Sequence, residues 1–335
     1  MTPKVSLIIP VYNAAPYIED CISSLMAQTM DEIEIIFVDD HGTDGSIRIA
    51  QAYVKNHPCN KHFHFLSTPH NMGPGPARNI GIAASQGEYV GFIDSDDVVT
   101  PDFCESLYAA AITHNADLAF CQAKLVTPHG EKEMSNPVIE NGDFSGEKRS
   151  YFLSHYTTLF VSFLYRHSLL TDYEIQFPAT RSSEDSYFLT SSLLAATRIA
   201  CVDKPMYCYL IHEESLSESC NPRRYLDKVE SFDLLMQFAR KKELYGANKE
   251  ELDYIYLKKG YLLGLLTYIC NEKQPQQLVV HNMHNHMLDY VPNYRNNRYY
   301  RTDIKLRLLH AFIRKCTCIS FKVLPYYIRK IGMKL

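Results

Sequence analysis

The stretch Val5-Ser-Leu-Ile-Ile-Pro-Val-Tyr-Asn13 begins the pattern that decides the fold. Its apolar, β-rich part ends at Pro10, and the polar Tyr12 and Asn13 follow one residue later. From Pro16 onward, apolar residues recur at helical spacing, and a second apolar run follows at 33–38. Alternation of unbroken apolar strands with amphipathic helices predicts an α/β fold. Its sheet should be mainly parallel, with helices on both faces.

The alternation continues through most of the chain. Further strands are expected at 62–66, 88–93, 117–122 and 160–165, with helices at 77–84, from 101 and over 184–196. A short strand pair is expected at 199–202 and 206–211, and residues 128–149 are expected to be a loop-rich insertion. From about Arg223 the pattern is helical. We therefore expect an α/β domain at 1–220 and a helical C-terminal region at 221–335.

Length and composition exclude several classes of protein. The 335 residues are 46% hydrophobic and 21% charged, which is typical of a globular chain. No stretch approaches the roughly 18 apolar residues of a membrane span, and the first residues do not resemble a signal peptide. The ten cysteines are scattered without a CxxC pair. These features predict a cytoplasmic protein without a disulfide framework.

Charge is distributed unevenly along the chain. Residues 295–335 contain eleven Lys/Arg and one acid, a net +10, whereas residues 1–294 contain 23 Lys/Arg and 37 acids, a net −14. Leu306, Leu309, Phe312, Ile313 and Ile319 add an apolar stripe to this basic end. A basic amphipathic helix favours contact with an anionic membrane surface. A docked helix with a solvated basic face remains an equal alternative, and no nucleic-acid-binding motif accompanies the charge.

Polar residues follow three of the expected strands directly: 12–13, 39–40 and 94–97. Since ligands of parallel sheets bind beyond the carboxyl ends of the strands, these groups should meet at one edge. The three carboxylates of Asp94-Ser-Asp-Asp97 are oxygen ligands that suit Mg²⁺ or Mn²⁺ shared with a diphosphate. The alternative is a solvated turn before the helix that starts at Pro101.

Two other features have both a functional and a structural interpretation. A carboxylate of Asp39-Asp40 could accept a hydrogen bond from a nucleobase, but an N-cap for a helix starting near Thr43 is the simpler interpretation. Arg78, at a helix start, suits a phosphate group, although a salt bridge at the surface is commoner for a single arginine. The glycines around it lack the dinucleotide-binding and P-loop spacings.

Glu184-Asp185 opens a helix, where acids complement the helix dipole. The functional alternative is a general base, which requires a carboxylate within reach of a hydroxyl. His212 is one of fourteen histidines and, taken alone, is more often structural than a ligand.

The order of these features resembles glycosyltransferase family 2 over roughly residues 4–215. The motifs that carry the resemblance are Val5-Ser-Leu-Ile-Ile-Pro-Val-Tyr-Asn-Ala14, Phe37-Val-Asp-Asp40, Gly75-Pro-Ala-Arg-Asn-Ile-Gly81, Gly91-Phe-Ile-Asp-Ser-Asp-Asp97 and Ser183-Glu-Asp185. The resemblance implies a GT-A fold and inverting transfer of a sugar from a nucleoside diphosphate sugar. A UDP-sugar is favoured by the resemblance around Asp39. His41 departs from the small residue that many members have.

The resemblance also implies roles for individual residues. The residues expected at the nucleotide are Pro10, Val11, Tyr12, Asp39, Arg78, Asp94, Ser95 and Asp96. Those expected at a Mn²⁺ or Mg²⁺ ion are Asp96, Asp97 and His212, and Asp185 matches the catalytic base. The implied partners are a nucleotide-sugar donor and a saccharide or lipid-linked saccharide acceptor of cell-surface polysaccharide synthesis. If the basic end contacts the membrane, the protein would work at its inner face.

Two rival functions remain at the level of sequence. The run Asp94-Ser-Asp96-Asp-Val98 also fits the D-x-D-x-[TV] loop of haloacid-dehalogenase-like phosphatases. That loop normally follows the first strand of its domain, whereas here it follows the fourth. A non-catalytic nucleotide-sugar-binding subunit of a polysaccharide assembly complex is the other alternative, and the intact Glu184-Asp185 pair argues against it.

Overall fold

The computed structural model describes residues 2–128, 130–211, 224–315 and 317–330. The chain divides into two compact units. The first consists of residues 1–179 and 184–212, and the second of residues 180–183 and 213–335.

The first unit is built on one sheet. Its strands are β1 (Val5–Val11), β2 (Ile33–Asp39), β3 (His62–Ser67), β4 (Tyr89–Phe92), β5 (Val98–Val99), β6 (Leu118–Thr127), β7 (Gly130–Met134), β8 (Gly142–Asp143), β9 (Phe163–Arg166) and β10 (Arg198–Leu210). They lie in the order β3-β2-β1-β4-β9-β6-β10-β5, while β7 pairs with β6 and β8 with β10. The sheet is parallel from β3 to β4, and β9 is antiparallel to both β4 and β6.

In the described part of the first unit, seven helices accompany this sheet. They are α1 (Ile18–Met26), α2 (Ser46–Asn56), α3 (Pro74–Ala84), α4 (Phe103–Thr113), α5 (Gly146–His155), α6 (His167–Asp172) and α7 (Glu184–Ala195). Every residue of β1 is buried, as an apolar run in the middle of a covered sheet requires. The edge strand β3 alternates between exposed and half-buried residues instead. The α/β class predicted from the sequence is confirmed.

Two local predictions differ from the structure. The sequence predicts a loop-rich insertion at residues 128–149, but this range contains β7, β8 and the start of α5. The strand pair expected at 199–211 is one long strand, β10, with irregularities on either side of Pro205. The Asp203-Lys-Pro205 sequence resembles a turn, yet pairing with β6 carries the strand through it as a bulge.

An aromatic core lies beside β4. Phe92 packs its ring against those of Phe160, Phe177 and Phe188 at centroid distances of 5.3–5.8 Å. Phe177 and Phe188 stack in parallel at 3.9 Å. Because Phe188 belongs to α7, this packing holds α7 close to the carboxyl end of β4.

The second unit is helical, which confirms the predicted helical C-terminal region. Its helices are α8 (Arg224–Lys241), α9 (Lys249–Ile255), α10 (Leu263–Asn271), α11 (Gln277–Tyr290), α12 (Arg298–Thr302), α13 (Ile304–Lys315) and α14 (Thr317–Lys330), with a π-helical segment at Tyr256–Leu262. Across the described parts of both units, every helix is too short or too polar to cross a membrane.

Candidate functional site

Three parallel strands bring the predicted polar residues to one edge of the sheet. Val11 is paired with Asp39 at the ends of β1 and β2, and Ile8 of β1 is paired with Phe92 at the end of β4. The polar residues that continue these strands therefore emerge side by side, as parallel pairing requires. This edge is the candidate site.

Tyr12 is the exposed member of the first motif. Its side chain is 38% exposed, whereas Pro10 and Val11 are buried within β1. The neighbouring loop is held tightly, because Asn13 Oδ1 accepts a hydrogen bond from the Thr43 amide at 2.8 Å. A Cβ atom at Gly42 would lie 2.6 Å from the Asn13 nitrogen, so this close approach requires glycine.

The two acids after β2 have different environments. Asp39 is half-buried at the site edge, and its Oδ1 accepts from the His41 amide at 3.0 Å. Asp40 is 2% exposed and accepts hydrogen bonds from the Thr68 hydroxyl and from the Met72 and Gly73 amides. Asp40 therefore holds the segment that leads into α3.

The predicted N-cap of a helix near Thr43 is wrong for Asp40. The helix α2 starts at Ser46, and the residue that accepts from the Ser46 amide is Asp44, at 3.0 Å. Asp44 also accepts from the Ala15 amide at 2.7 Å, which ties the loop before α2 to the loop after β1.

Arg78 is the buried centre of the site. Its Nη2 donates to Asp94 Oδ1 at 2.6 Å, and its Nη1 lies 3.5 Å from Glu184 Oε1. The guanidinium carbon lies 4.6 Å from the ring centroid of Phe160 and 5.3 Å from that of Phe177. Burial alone would lower the pKa of Arg78, but Asp94 and Glu184 raise it above its ordinary value. Arg78 is thus a buried cation, and the expected surface salt bridge is wrong.

The helix α7 presents Glu184 and Asp185 at its first turn. Burial, followed by the charge of Asp185, raises the pKa of Glu184 to about 7. Asp185 is half-buried, and its Oδ1 accepts from the Ser186 amide at 2.6 Å. A carboxylate that is partly open to solvent can be reached by a substrate hydroxyl, as a general base requires.

Asn79 connects the start of α3 to the segment before α7. Its side chain donates to the Phe177 carbonyl and accepts from the Phe177 amide, both at 2.8 Å. A Cβ atom at Gly75 would lie 3.0 Å from the Pro178 carbonyl oxygen and 3.4 Å from Glu184 Cγ. The Gly75–Gly81 motif therefore positions the helix that carries the acid pair.

The acids after β4 also differ from one another. Asp94 and Asp96 are half-buried, Ser95 is 8% exposed and Asp97 is 1% exposed. Asp97 accepts from the Tyr207 hydroxyl at 2.6 Å and from the Leu210 amide at 2.8 Å. Burial, then the charges of Asp94 and Asp96, raises the pKa of Asp97 well above its ordinary range. The alternative of a solvated turn is wrong for Asp97.

The oxygen donors of Asp94 and Asp96 fit Mg²⁺ or Mn²⁺, because such an ion takes one or two carboxylates and shares substrate phosphate oxygens. Asp97 is already engaged by Tyr207 and Leu210. Within the described part of the chain, no group of three or more His, Cys, Asp or Glu residues is arranged to hold a metal ion. His212, the other expected ligand, lies outside the described residues.

Sequence reasoning does not find Tyr207 or Asn79. Tyr207 is completely buried in β10 and contacts Asp97 from 110 residues away, so no local pattern links the two. Asn79 lies within the Gly75–Gly81 motif, next to Arg78, but its partner Phe177 is equally remote.

Comparison with known proteins gives a family match and several relatives. Residues 6–173 match the family model described as Glycosyl transferase family 2. EpsH of Bacillus subtilis is 31% identical over 75% of this chain and 74% of its own. The poly(ribitol-phosphate) β-N-acetylglucosaminyltransferase TarS of Staphylococcus aureus is 28% identical over 82% of this chain and 48% of TarS.

Solved structures show the same fold. A crystal structure of S. aureus TarS in complex with UDP-GlcNAc has a TM-score of 0.67, with 23% identity over 98% of this chain and 92% of that one. The mannosyltransferase PcManGT from Pyrobaculum calidifontis, in complex with GDP-Man and Mn²⁺, has a TM-score of 0.55, with 17% identity over 94% of this chain and 87% of that one. The predicted GT-A fold is thereby confirmed.

Proposed function

Because the chain belongs to glycosyltransferase family 2, we propose that it transfers a sugar from a UDP-sugar to a saccharide or lipid-linked saccharide, with inversion at the anomeric carbon. Its general activity, glycosyl transfer, follows from the family. The donor nucleotide, the acceptor class and the stereochemistry are the proposed part.

The observation that carries the proposal is the buried chain of charges from Asp94 through Arg78 to Glu184. It joins the acids that follow β4 to the helix that presents Asp185. A donor diphosphate would lie beside the acids that follow β4, and an acceptor hydroxyl would lie beside Asp185. The charge chain would then fix the distance and orientation between the two substrates, as a displacement at one carbon requires.

We assign the nucleotide to the strand-end residues. Tyr12, exposed at the end of β1, would contact the base, with Pro10 and Val11 forming the strand beneath it. Asp39 would accept from a base N–H group, and Asp94, Ser95 and Asp96 would lie by the ribose and diphosphate. In this proposal Arg78 contributes to the nucleotide site through its ion pair with Asp94, whose carboxylate it holds in position.

A bound Mn²⁺ or Mg²⁺ would neutralise the negative charge that grows on the departing diphosphate. Asp96 would hold it, with Asp94 beside it. Of the other ligands that the family resemblance implies, Asp97 is engaged by Tyr207 and Leu210, and His212 lies outside the described residues. PcManGT shares the fold and is complexed with Mn²⁺ as well as GDP-Man, which supports a metal ion beside the diphosphate here.

Asp185 is proposed as the general base. It would take the proton of the acceptor hydroxyl while the acceptor oxygen bonds to the anomeric carbon. The bond from that carbon to the diphosphate oxygen breaks in the same step, and its electron pair leaves with the nucleoside diphosphate. A single displacement from the face opposite to the leaving group inverts the configuration.

We propose that residues 1–220 form the transferase domain and that residues 221–335 form a helical extension of the enzyme. TarS acts, by its name, on poly(ribitol-phosphate), which supports an acceptor among cell-surface polymers. We propose that the protein works in the cytoplasm at the inner face of the membrane, and we expect no nucleic-acid partner.

The alternatives make different predictions. A haloacid-dehalogenase-like phosphatase would use Asp94 as a nucleophile, which its ion pair with Arg78 and the family match both disfavour. A non-catalytic subunit would bind the donor without turning it over. Only the proposed transferase requires Asp185 for turnover, so a substitution at Asp185 distinguishes it from both alternatives.

The test is calorimetric titration of UDP into the full-length protein, with Mn²⁺ and then with EDTA, followed by turnover assays with UDP-sugars. We expect metal-dependent binding. Asp185→Asn should bind UDP as the wild type does but turn over at least about 100-fold more slowly. The control Asp20→Asn changes an exposed acid of α1 and should alter neither quantity.

Three outcomes would overturn parts of the proposal. Donor binding without turnover of any sugar indicates the non-catalytic subunit. Phosphate release from phosphate esters, without UDP binding, indicates the phosphatase. Wild-type turnover in Asp185→Asn removes Asp185 from its role.

A further inference from the structure

The last two helices of the second unit contain no acid. Between residues 304 and 330 the sequence has seven basic residues and neither Asp nor Glu. The basic residues are Lys305, Arg307, Arg314, Lys315, Lys322, Arg329 and Lys330. A segment of one charge sign on an otherwise acidic chain favours an anionic partner.

Helix α13 has two apolar faces. One consists of Leu306 and Ile313, which are at most 8% exposed and pack into the second unit. The other carries Ile304 and Leu308, which are 64% and 66% exposed. Since successive residues in an α-helix are about 100° apart, Lys305 and Lys315 lie on this same exposed side.

Helix α14 repeats the arrangement. Ile319, Val323 and Tyr326 are 56%, 45% and 70% exposed, and the exposed Lys322 lies among them on one side. Leu324, on the opposite side, is 7% exposed.

These side chains concentrate the exposed apolar groups of the protein. Of the eleven large hydrophobic residues that are exposed in the described part of the chain, five lie between 304 and 326. Scattered exposed apolar residues are ordinary, but a cluster marks a surface that contacts something apolar.

We propose that the exposed sides of α13 and α14, bearing Ile304, Leu308, Ile319, Val323 and Tyr326 with their lysines, form a surface that docks on an anionic lipid bilayer. We call this the tail surface. Lysines would contact anionic headgroups, and the apolar side chains would enter the boundary between headgroups and acyl chains. A hydrophilic anionic polymer would match the charges but would leave the apolar side chains in water. The proposal deepens the proposed location at the inner face of the membrane and rests on it, but vesicle binding requires no turnover, so it can fail while the proposed transferase activity holds.

The test is co-sedimentation of the full-length protein with vesicles of phosphatidylcholine containing 30% phosphatidylglycerol, compared with phosphatidylcholine alone. We expect binding to the anionic vesicles that is at least about tenfold tighter than binding to the neutral ones, and that weakens with added salt. Equal binding to both vesicles, or binding to neither, would overturn the proposal.

Matched variants separate the tail surface from the rest of the molecule. Leu308→Ser should weaken vesicle binding about tenfold, because one apolar anchor is lost. The control Leu278→Ser changes a leucine of α11 with nearly the same exposure, 64%, and should bind as the wild type does. Both residues are exposed, so both variants should keep the wild-type melting temperature.

Charge is tested in the same way. Lys305→Glu combined with Lys322→Glu should weaken binding roughly 30-fold or more, whereas Lys132→Glu, at an exposed position in β7, should not. The protein could instead bind soluble polyphosphate but not vesicles, with polyphosphate binding unchanged in Leu308→Ser. That result would show that the basic residues bind an anionic polymer and not a bilayer. A dimer that forms in solution and is lost in Leu308→Ser would assign the tail surface to a second copy of the chain. Either result contradicts the proposal.

Discussion

Two buried clusters, one in each unit of this glycosyltransferase, differ in how they accommodate ionisable groups. In the first unit, Arg78 is 4% exposed and remains charged between Asp94 and Glu184. In the second unit, His284 and His310 are 7% and 1% exposed and lie with their rings 5.7 Å apart. Three tyrosines surround the two histidines: Tyr261, Tyr294 and Tyr300.

The surroundings of the histidine cluster favour its uncharged form. Burial, followed by the charges of Arg314 and neighbouring histidines, lowers the pKa of His284 to about 4 and that of His310 to about 3. Each ring has a tyrosine hydroxyl as hydrogen-bond partner, with Tyr261 at 3.1 Å from His284 and Tyr300 at 3.0 Å from His310. Filling a core with neutral hydrogen-bonded rings costs less free energy than burying an ion.

The difference in charge between the two clusters indicates a difference in their structural roles. Keeping a buried cation requires anionic partners with good geometry, and a well-packed apolar group would often be as stable. The first unit has such a cation where the acids of the site must be held in position. The histidine cluster of the second unit has tyrosine hydroxyls as its hydrogen-bond partners instead, and burial lowers the pKa values of its two rings.

The largest expected effect comes from removing the buried cation. Arg78→Ala leaves Asp94 and Glu184 without their partner and should lower the free energy of unfolding by about 3–5 kcal/mol, measured by urea denaturation. Lys204→Ala breaks an exposed ion pair with Asp102 and should cost less than about 1 kcal/mol. Similar losses in the two variants would show that the charge chain does not hold the site together.

Acid should destabilise the second unit through His310. Its folded pKa of about 3 lies below the unfolded value near 6.5, so its contribution to stability is complete above pH 6.5 and is lost as the pH falls toward 3. We expect a loss of about 4 kcal/mol across this range from His310. His310→Gln should flatten the pH dependence of unfolding, and an unchanged profile would mean that His310 is not the group that titrates.

Glu184 should produce a smaller effect of the opposite sign. Its pKa of about 7 lies above the unfolded value, so the folded state holds the proton more tightly and stability falls as the pH rises from about 4.5 to 7. The expected fall is about 3 kcal/mol, and Glu184→Gln should remove it while the low-pH loss from His310 stays. The measurement is the free energy of unfolding of the variant and the wild type at pH 5 and at pH 8. The same change between the two pH values in both proteins would contradict the prediction.

The sequence predicts which polar positions meet at the edge of the sheet that forms the candidate site. Residues 12–13, 39–40 and 94–97 follow apolar runs, and parallel pairing is enough to bring their positions to one edge. The separate roles of neighbouring acids could not be predicted. Asp39 and Asp40 are adjacent and chemically alike, yet Asp40 is buried because the Met72 and Gly73 amides come to it from a distant loop.

The strands that the sequence pattern does not predict also depend on contacts with other parts of the chain. β7, Gly-Glu-Lys-Glu-Met134, has no alternation of apolar and polar residues, and it is a strand because its backbone pairs with β6. β10 continues through Pro205 for the same reason. Pairing supplies backbone hydrogen bonds that side-chain patterns do not encode.

What the sequence alone determined is therefore local: the alternation of strands and helices, the acids at strand ends, and the basic, apolar character of residues 304–330. The tertiary structure decided which of these groups are buried and with what partner. Arg78 is a buried cation because Asp94, Glu184 and two phenylalanine rings meet around it from distant parts of the chain. Desolvation and pairing act through space, so the charge state and the role of each site residue depend on neighbours that only folding brings together.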